Sequence, residues 1–300
     1  MRTLKISIPV LAVVGLVSLL LSFAFTSAGV VSAQFNQLQW GPWRFNYGID
    51  DSSGLALRYV YYNNEFVIYK ASMPVIRVHY LEPPAQNVVY ADRISSGNLH
   101  QRTFTVGGRS WLELGVFTRI GGYEIYQAWY LSNDGYIQPH LFSRGLHHQA
   151  DHNHHVYWRM DFDINGAGSD HVFVYDNNRP SEGWGPGWHE YPIEVNDIRN
   201  PPTNRLWFVR DSPTGHGIWI FPGGGDGVVD SFSTIDMGGR QYRYGEDNWI
   251  FGGWGELGWN EGEDIQLEDV VFWYVAHLHH QDEEGPSVWH SGGPTLLVHR

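Results

Sequence analysis

The sequence contains no cysteine, which removes disulfides, iron–sulfur clusters, thiolate nucleophiles and cysteine-ligated zinc together. Any metal must be held by His, Asp, Glu, Tyr or Met. Basic residues are scarce as well: 19 Lys and Arg stand against 32 Asp and Glu, a formal charge of −13. Nucleic acid and anionic membranes are bound through clustered cations, so this balance argues against both as partners and suits a cationic ligand such as an amine. Nowhere does a 3.6-residue apolar period persist beyond about two turns, and no fixed-period repeat runs through the chain, which sets helical bundles and solenoids aside. What is abundant is aromatic residues and glycine, with 14 Trp, 17 Tyr, 15 Phe and 35 Gly. That is the composition of a sheet protein with many turns.

One long apolar run opens the chain. Arg2 and Lys5 precede apolar Ile6–Phe25, and Val31-Ser32-Ala33 offers small residues to a signal peptidase. Residues 1–33 therefore read as a signal peptide, and the protein as secreted or extracytoplasmic, with no stable membrane association after cleavage. An uncleaved N-terminal membrane anchor is the alternative, because the run is close to bilayer-spanning length. Loss of Arg2 and Lys5 leaves 17 basic against 32 acidic residues, a charge of −15. Residues 34–300 are enough for one large core, and the pattern along them is all-β, a large antiparallel β-sandwich in a single domain.

Strand-like runs occur at Leu55–Tyr62, Glu65–Ser72 and Pro74–Leu81, the first two joined by Asn63-Asn64, a dipeptide that tolerates positive φ. Gln34–Asp50 reads as an edge segment and Asn87–Asn98 as an irregular excursion. Further strands are expected at Arg102–Val106, Ser110–Arg119, Tyr123–Leu131, Tyr136–Ser143, His171–Tyr175, Leu206–Arg210, Gly217–Phe221 and Val270–Ala276.

Chemistry concentrates in His147–Asp163 (HHQADHNHHVYWRMDFD). Five of the sixteen histidines fall in its first nine residues, and from His155 the run alternates like a strand with one polar face. Successive side chains of a strand point to opposite faces, so His152 and His154 share one and present two imidazoles side by side. Such a pair supplies two of the nitrogens that copper or zinc requires. The plainer alternative is a solvated, histidine-rich loop.

From His152 the string HNHHVYWRMDFDING resembles the copper-ligand strand of the copper amine oxidase family, where His-x-His is followed by aromatics and then Arg-x-Asp-x-Asp-x-Asp/Asn-Gly. The matching residues are His152, His154, Arg159, Asp161, Asp163, Asn165 and Gly166. The resemblance implies copper ligation by His152 and His154, with His147, His148 and His155 as bystanders. A third ligand would come from Val270–His280 (VVFWYVAHLHH), which is similar to the family's late histidine stretch; counting from Trp273 gives His280, with His279 the neighbouring candidate. The family's peripheral cation site maps onto Asp161, Asp163 and Asp269, the last standing eleven residues before His280. Ca²⁺ or a similar hard cation is the expected occupant.

Phe117–Ile137 is similar to the region around the tyrosine that the family converts to topaquinone. It places Tyr123 at the cofactor position, with Glu124 after it and Gly122 where the family has asparagine. Gly54–Pro83 resembles the start of the family's catalytic domain, which continues to a Tyr-x-Asp whose aspartate is the catalytic base; Tyr90-Ala91-Asp92 matches. The likeness runs from about Gly54 to Pro286. It breaks after His280, where the family's Pro-Arg-x-Glu-Asp gives way to Gln281-Asp282-Glu283-Glu284-Gly285-Pro286.

The resemblance implies Cu(II)- and topaquinone-dependent oxidative deamination of a small primary amine by O₂, yielding aldehyde, ammonia and hydrogen peroxide, with a homodimer as the family's habit. Gly122 and the altered segment after His280 motivate a second expectation, an exported copper-binding or structural sandwich that has lost the quinone. A third, a carbohydrate-binding sandwich, would use Trp184, Trp188, Trp254 and Trp259.

Overall fold

The computed structural model describes residues 35–80, 88–146, 150–177, 183–251 and 260–300. The expected signal segment, His147, His148, Trp254 and Trp259 lie outside the described residues. Among those described, the strands in chain order are β1 (Asn36–Trp40), β2 (Trp43–Asp50), β3 (Gly54–Tyr62), β4 (Glu65–Tyr80), β5 (Val89–Asp92), β6 (Asn98–Val106), β7 (Arg109–Ile120), β8 (Tyr123–Ser132), β9 (Tyr136–Gly145) and β10 (His152–Phe162). They continue as β11 (Asp170–Asp176), β12 (Gly187–Tyr191), β13 (Val195–Asp197), β14 (Leu206–Asp211), β15 (Gly217–Phe221), β16 (Met237–Gln241), β17 (Val270–His280), β18 (His290–Gly292) and β19 (Thr295–His299), with one short helix, α1 (Glu246–Phe251). None of the described helices is long and apolar enough to cross a membrane.

The all-β expectation holds: two large antiparallel sheets carry the chain. One runs β1-β2-β3-β4-β10-β17-β16-β13, with β5 pairing the far half of β4; the other runs β12-β11-β14-β15-β19-β9-β8-β7-β6, with β18 on β9. The β3–β4 turn forms as read, because Asn63 and Asn64 both accept positive φ, at 50° and 66°.

Two expectations are corrected. Glu65–Ser72 and Pro74–Leu81 are not separate strands but one sixteen-residue strand, β4. Pro74 is tolerated because the register against β10 shifts there, from Tyr157 opposite Val75 to Arg159 opposite Ser72. A bulge of this kind needs no ladder hydrogen bond from the proline. The stretch read as irregular also contains β5, paired to Ile76–His79.

The core lies between the sheets. From β10 it takes Val156, Trp158, Met160 and Phe162, and from the second sheet Leu112, Leu114, Val116, Trp129 and Leu131. Trp129 meets Trp158 edge-on at 5.4 Å between ring centroids, and its indole N–H donates to the Leu55 carbonyl at 2.8 Å. Gln127 locks the same place, accepting from Leu55 N–H and donating to Leu55 O, both at 2.9 Å. The polar face expected on β10 exists but does not meet solvent. All eleven residues of the strand are buried, because the segment around Ile235 and Tyr242 covers Val75, Tyr157, Val271, Trp273 and Val275 on the side away from the second sheet.

Candidate metal centre

Register assembles the centre. His152 pairs with His280 of β17 on one side and with Tyr80 of β4 on the other. Directly paired residues of antiparallel strands project from the same face, so Tyr80, His152 and His280 form a row, with His154 two residues further along β10. That face looks toward β8 and β9. Ligand atoms of His152, His154 and His280 lie within 4.8 Å of one another, and all three residues are buried. Ring centroids are separated by 5.1 Å (His152–His154), 4.9 Å (His152–His280) and 4.5 Å (His154–His280).

Their hydrogen bonds leave the nitrogens a metal would need. His152 Nδ1 lies 2.9 Å from the Ala150 carbonyl, which can only accept, so Nδ1 carries the proton and Nε2 presents its lone pair. His154 Nδ1 meets Ser143 Oγ at 3.1 Å, while its Nε2 and both ring nitrogens of His280 are buried without a hydrogen-bond partner among the described residues. A buried, unpaired nitrogen is costly, and a metal ion resolves that cost. The residues present therefore fit a copper or zinc ion. Burial lowers the pKa of each: His152 below its ordinary value, His154 well below it, and His280 to about 2, with neighbouring imidazoles adding to the effect. Neutral imidazole is the form that binds metal.

Tyr123 opens β8 directly over the three imidazoles. Its ring lies edge-on to His154 at 4.7 Å and to His280 at 6.1 Å, and its hydroxyl stands 3.0 Å from His152 Nε2, to which it donates. Gly145 permits this approach of β8 and β9. A Cβ there would come within 2.3 Å of the Gly122 carbonyl oxygen and 2.9 Å of Tyr123 Cα. On the other side of Tyr123 stands Tyr80, a residue that no sequence motif singles out. The two hydroxyls are 2.8 Å apart, and Tyr80 stacks on His152 at 4.7 Å.

The remaining expected residues fall around this group. Tyr90 sets its ring edge-on to Tyr80 at 5.9 Å. Asp92 follows two residues later on β5, half-buried and opposite Ile76, so strand alternation puts it on the same face of the ladder as Tyr90. Between His279 and His280 the geometry selects His280. His279 is exposed on the opposite face, its Nδ1 2.9 Å from Asn153 Oδ1. His155 also faces away, as the bystander role requires.

Asp161, Asp163 and Asp269 form a second group, with oxygens within 4.8 Å of one another. Burial, together with the neighbouring Asp161 carboxylate, raises Asp163 to about 7 and Asp269 to about 6. One oxygen on each of those two has no hydrogen-bond partner among the described residues. Carboxylates crowded in this way suit a hard divalent cation. The tryptophans of the carbohydrate expectation divide: Trp184 is packed on His189 and Tyr191, and Trp188 is 42% exposed beside Trp219.

No family model and no curated protein matches the sequence. Solved structures do match the fold. A copper-containing benzylamine oxidase from Hansenula polymorpha superposes with a TM-score of 0.71 at 13% identity, over 93% of this chain and 63% of that one. An amine oxidase from Aspergillus nidulans gives 0.68 at 14% identity, over 87% and 51%. The lysyl oxidase of Pichia pastoris gives 0.66 at 14%, again over 87% and 51%. The chain thus spans 51% to 63% of the length of these structures. At such identities the likeness establishes the fold: the two sheets are arranged as in the catalytic domain of copper amine oxidases.

Proposed function

We propose that this chain is an exported copper-dependent oxidase of small primary amines, using a quinone formed from Tyr123. The observation that carries the proposal is the Tyr123 hydroxyl on His152 Nε2, in the middle of three buried imidazoles whose other metal-facing nitrogens have no partner. Nothing in a generic metal-storage site calls for a buried tyrosine there.

When bound, copper held by His152, His154 and His280 would support O₂ reduction, and topaquinone would supply the carbonyl that a primary amine attacks. The chain's own residues have separate tasks. Tyr80 fixes the oxygen of Tyr123 through the 2.8 Å contact between their hydroxyls. Tyr90 packs edge-on against Tyr80. Asp92 is assigned as the base that accepts a proton from the substrate carbon. A cavity of about 380 Å³, lined by Gly121, Gly122, Tyr123, Gly145, Pro286 and Ser287 among others, is of a size that admits a small amine. The carboxylate group Asp161/Asp163/Asp269 is assigned a structural cation.

The test is to load the protein with Cu(II), expose it to air, and follow the visible spectrum. A quinone absorption that phenylhydrazine shifts, with a mass gain of topaquinone size on the Tyr123 peptide, is expected. Full copper occupancy with an unmodified Tyr123 would overturn the oxidase reading and support the second one, a copper-binding sandwich without the quinone. That second reading rests on Gly122, which cannot orient the Tyr123 ring as an asparagine side chain would.

A further inference from the structure

The likeness to amine oxidases breaks after His280, and the departing segment delivers new chemistry to the same place. Asp282–Glu284 form a single 3₁₀ turn that brings Glu284 back beneath β17, and β18 then pairs with β9, placing His290 opposite Ser143. Ser143 is the residue whose hydroxyl meets His154 Nδ1. As a result His290 lies against His280, with ring centroids 4.0 Å apart. Glu284 Oε1 stands 3.3 Å from His280 Nδ1 and 2.7 Å from His290 Nε2. Ligand atoms of His280, Glu284 and His290 fall within 4.8 Å of one another.

His280 is the residue common to this group and the three-histidine centre, and it has two ring nitrogens to offer. Both are buried, and neither makes a hydrogen bond among the described residues; the approach of Nδ1 to Glu284 is close but not aligned as one. A histidine serving one metal ordinarily donates its other N–H to a carboxylate or carbonyl. Here that donation is missing, while a carboxylate and a second imidazole converge on the place where it would occur. Two imidazoles and one carboxylate, the outer two half-buried, make the ligand set of an open zinc or copper(II) site with room for water.

We propose that His280, Glu284 and His290 form a second transition-metal site beside the three-histidine centre, with the His280 ring bridging the two metals. Filling both positions removes the remaining ring proton of His280 to solvent, so that each nitrogen presents a lone pair. The inference goes beyond the oxidase reading, since it concerns metal number and coupling whatever becomes of Tyr123.

The test counts metal. Protein saturated with Ca²⁺, to occupy the carboxylate group, is loaded with excess Cu(II), desalted, and assayed for copper by mass spectrometry and for unpaired spin by electron paramagnetic resonance. Wild type is expected to hold two copper ions with spin well below the copper content, because an imidazole bridge couples them. Glu284→Gln and His290→Ala should each hold one, with spin equal to copper. The double variant His152→Ala/His154→Ala should keep one in the outer site. A single copper in wild type, or two copper ions retained in both Glu284→Gln and His290→Ala, overturns the proposal. If removing His152 and His154 leaves the copper count unchanged while Glu284→Gln lowers it, the three-histidine reading fails and the outer site stands. Near-UV circular dichroism confirms that the variants are folded, and Glu284→Gln, which is nearly isosteric on a half-buried turn, carries the test should His290→Ala not fold.

Discussion

His154 and His155 are consecutive residues of one strand, both buried, and their surroundings differ in kind. His154 looks into the core, where its neighbours are other neutral imidazoles and Tyr123. His155 looks the other way, its Nδ1 2.8 Å from His277 Nδ1 and its Nε2 3.4 Å from Asp230. His277 in turn has Asp236 at 3.2 Å. The outer face thus sets a carboxylate beside each of these two histidines, while on the inner face His154 Nε2 and both nitrogens of His280 make no hydrogen bond among the described residues. Further along, the outer face holds Arg159 against Glu246 at 2.5 Å and Asp161 at 3.1 Å; the inner face at that level is Trp158 and Met160. The two faces of the same strand therefore have different tasks: one holds the cover in place by charge pairing, and the other keeps a set of metal-binding nitrogens away from water. The group of three imidazoles that could hold a metal lies on the inner face, not on the face with more charge.

The largest effect that would break this contrast concerns Arg159. Burial opposes its charge, but Glu246, Asp247 and Asp161 outweigh burial and keep the guanidinium ionised. Removing one partner of a buried ion pair leaves the others uncompensated, at a cost of about 3–5 kcal/mol. Arg159→Ala should lower stability by that amount in denaturant unfolding without changing the copper count per folded chain. A loss of copper in protein that remains folded would show that the two faces are not independent.

Calcium comes next. Asp163 and Asp269 have folded-state pKa values raised to about 7 and about 6 by burial, so the stability they contribute is present below the unfolded carboxylate pKa and is lost as pH rises through 6 and 7. His155 and His280 are lowered by burial to about 4 and about 2; their contribution is present above the unfolded histidine pKa and is lost on acidification. Calcium bound at this group would have to displace protons from the two aspartates. Its stabilising effect, about 2.7 kcal/mol at a hundredfold excess over Kd, should therefore be nearly absent at about pH 5 and complete by about pH 8. Thermal melts with and without calcium across that range decide it, and a calcium shift independent of pH would separate the cation site from these carboxylates.

Much of the inner face is legible in the sequence. The period of two in His152-Asn153-His154 places both imidazoles together, whereas Asp269 and His280, eleven residues apart, are singled out only through the family resemblance. What stays hidden depends on contacts distant in sequence. Tyr80 is one of 17 tyrosines, and nothing local marks it; only the pairing of the end of β4 with the start of β10 sets it beside Tyr123, 43 positions later. The outer face reads as solvated because its cover arrives from Asp230, Asp236 and Glu246, carboxylates in a glycine-rich stretch without strand alternation. Glu284 registers only as part of a departure from a pattern and His290 not at all, since a 3₁₀ turn and a three-residue strand leave no periodic signal.

The finest test compares one hydroxyl from each face. Tyr80 meets Tyr123 at 2.8 Å on the inner side, and Tyr157 meets Ser233 Oγ at 3.1 Å on the outer side, both pairs buried. Each Tyr→Phe change deletes the hydroxyl's neutral hydrogen bonding and keeps the ring, so each should cost about 0.5–1.5 kcal/mol. In stability the two variants should be indistinguishable. Only Tyr80→Phe takes a hydroxyl partner away from the Tyr123 oxygen, and only it should alter the rate at which air and copper generate the quinone absorption. Equal effects of the two variants on that rate would mean that Tyr80 acts through general stability, and would shift the task of orienting the Tyr123 hydroxyl to His152.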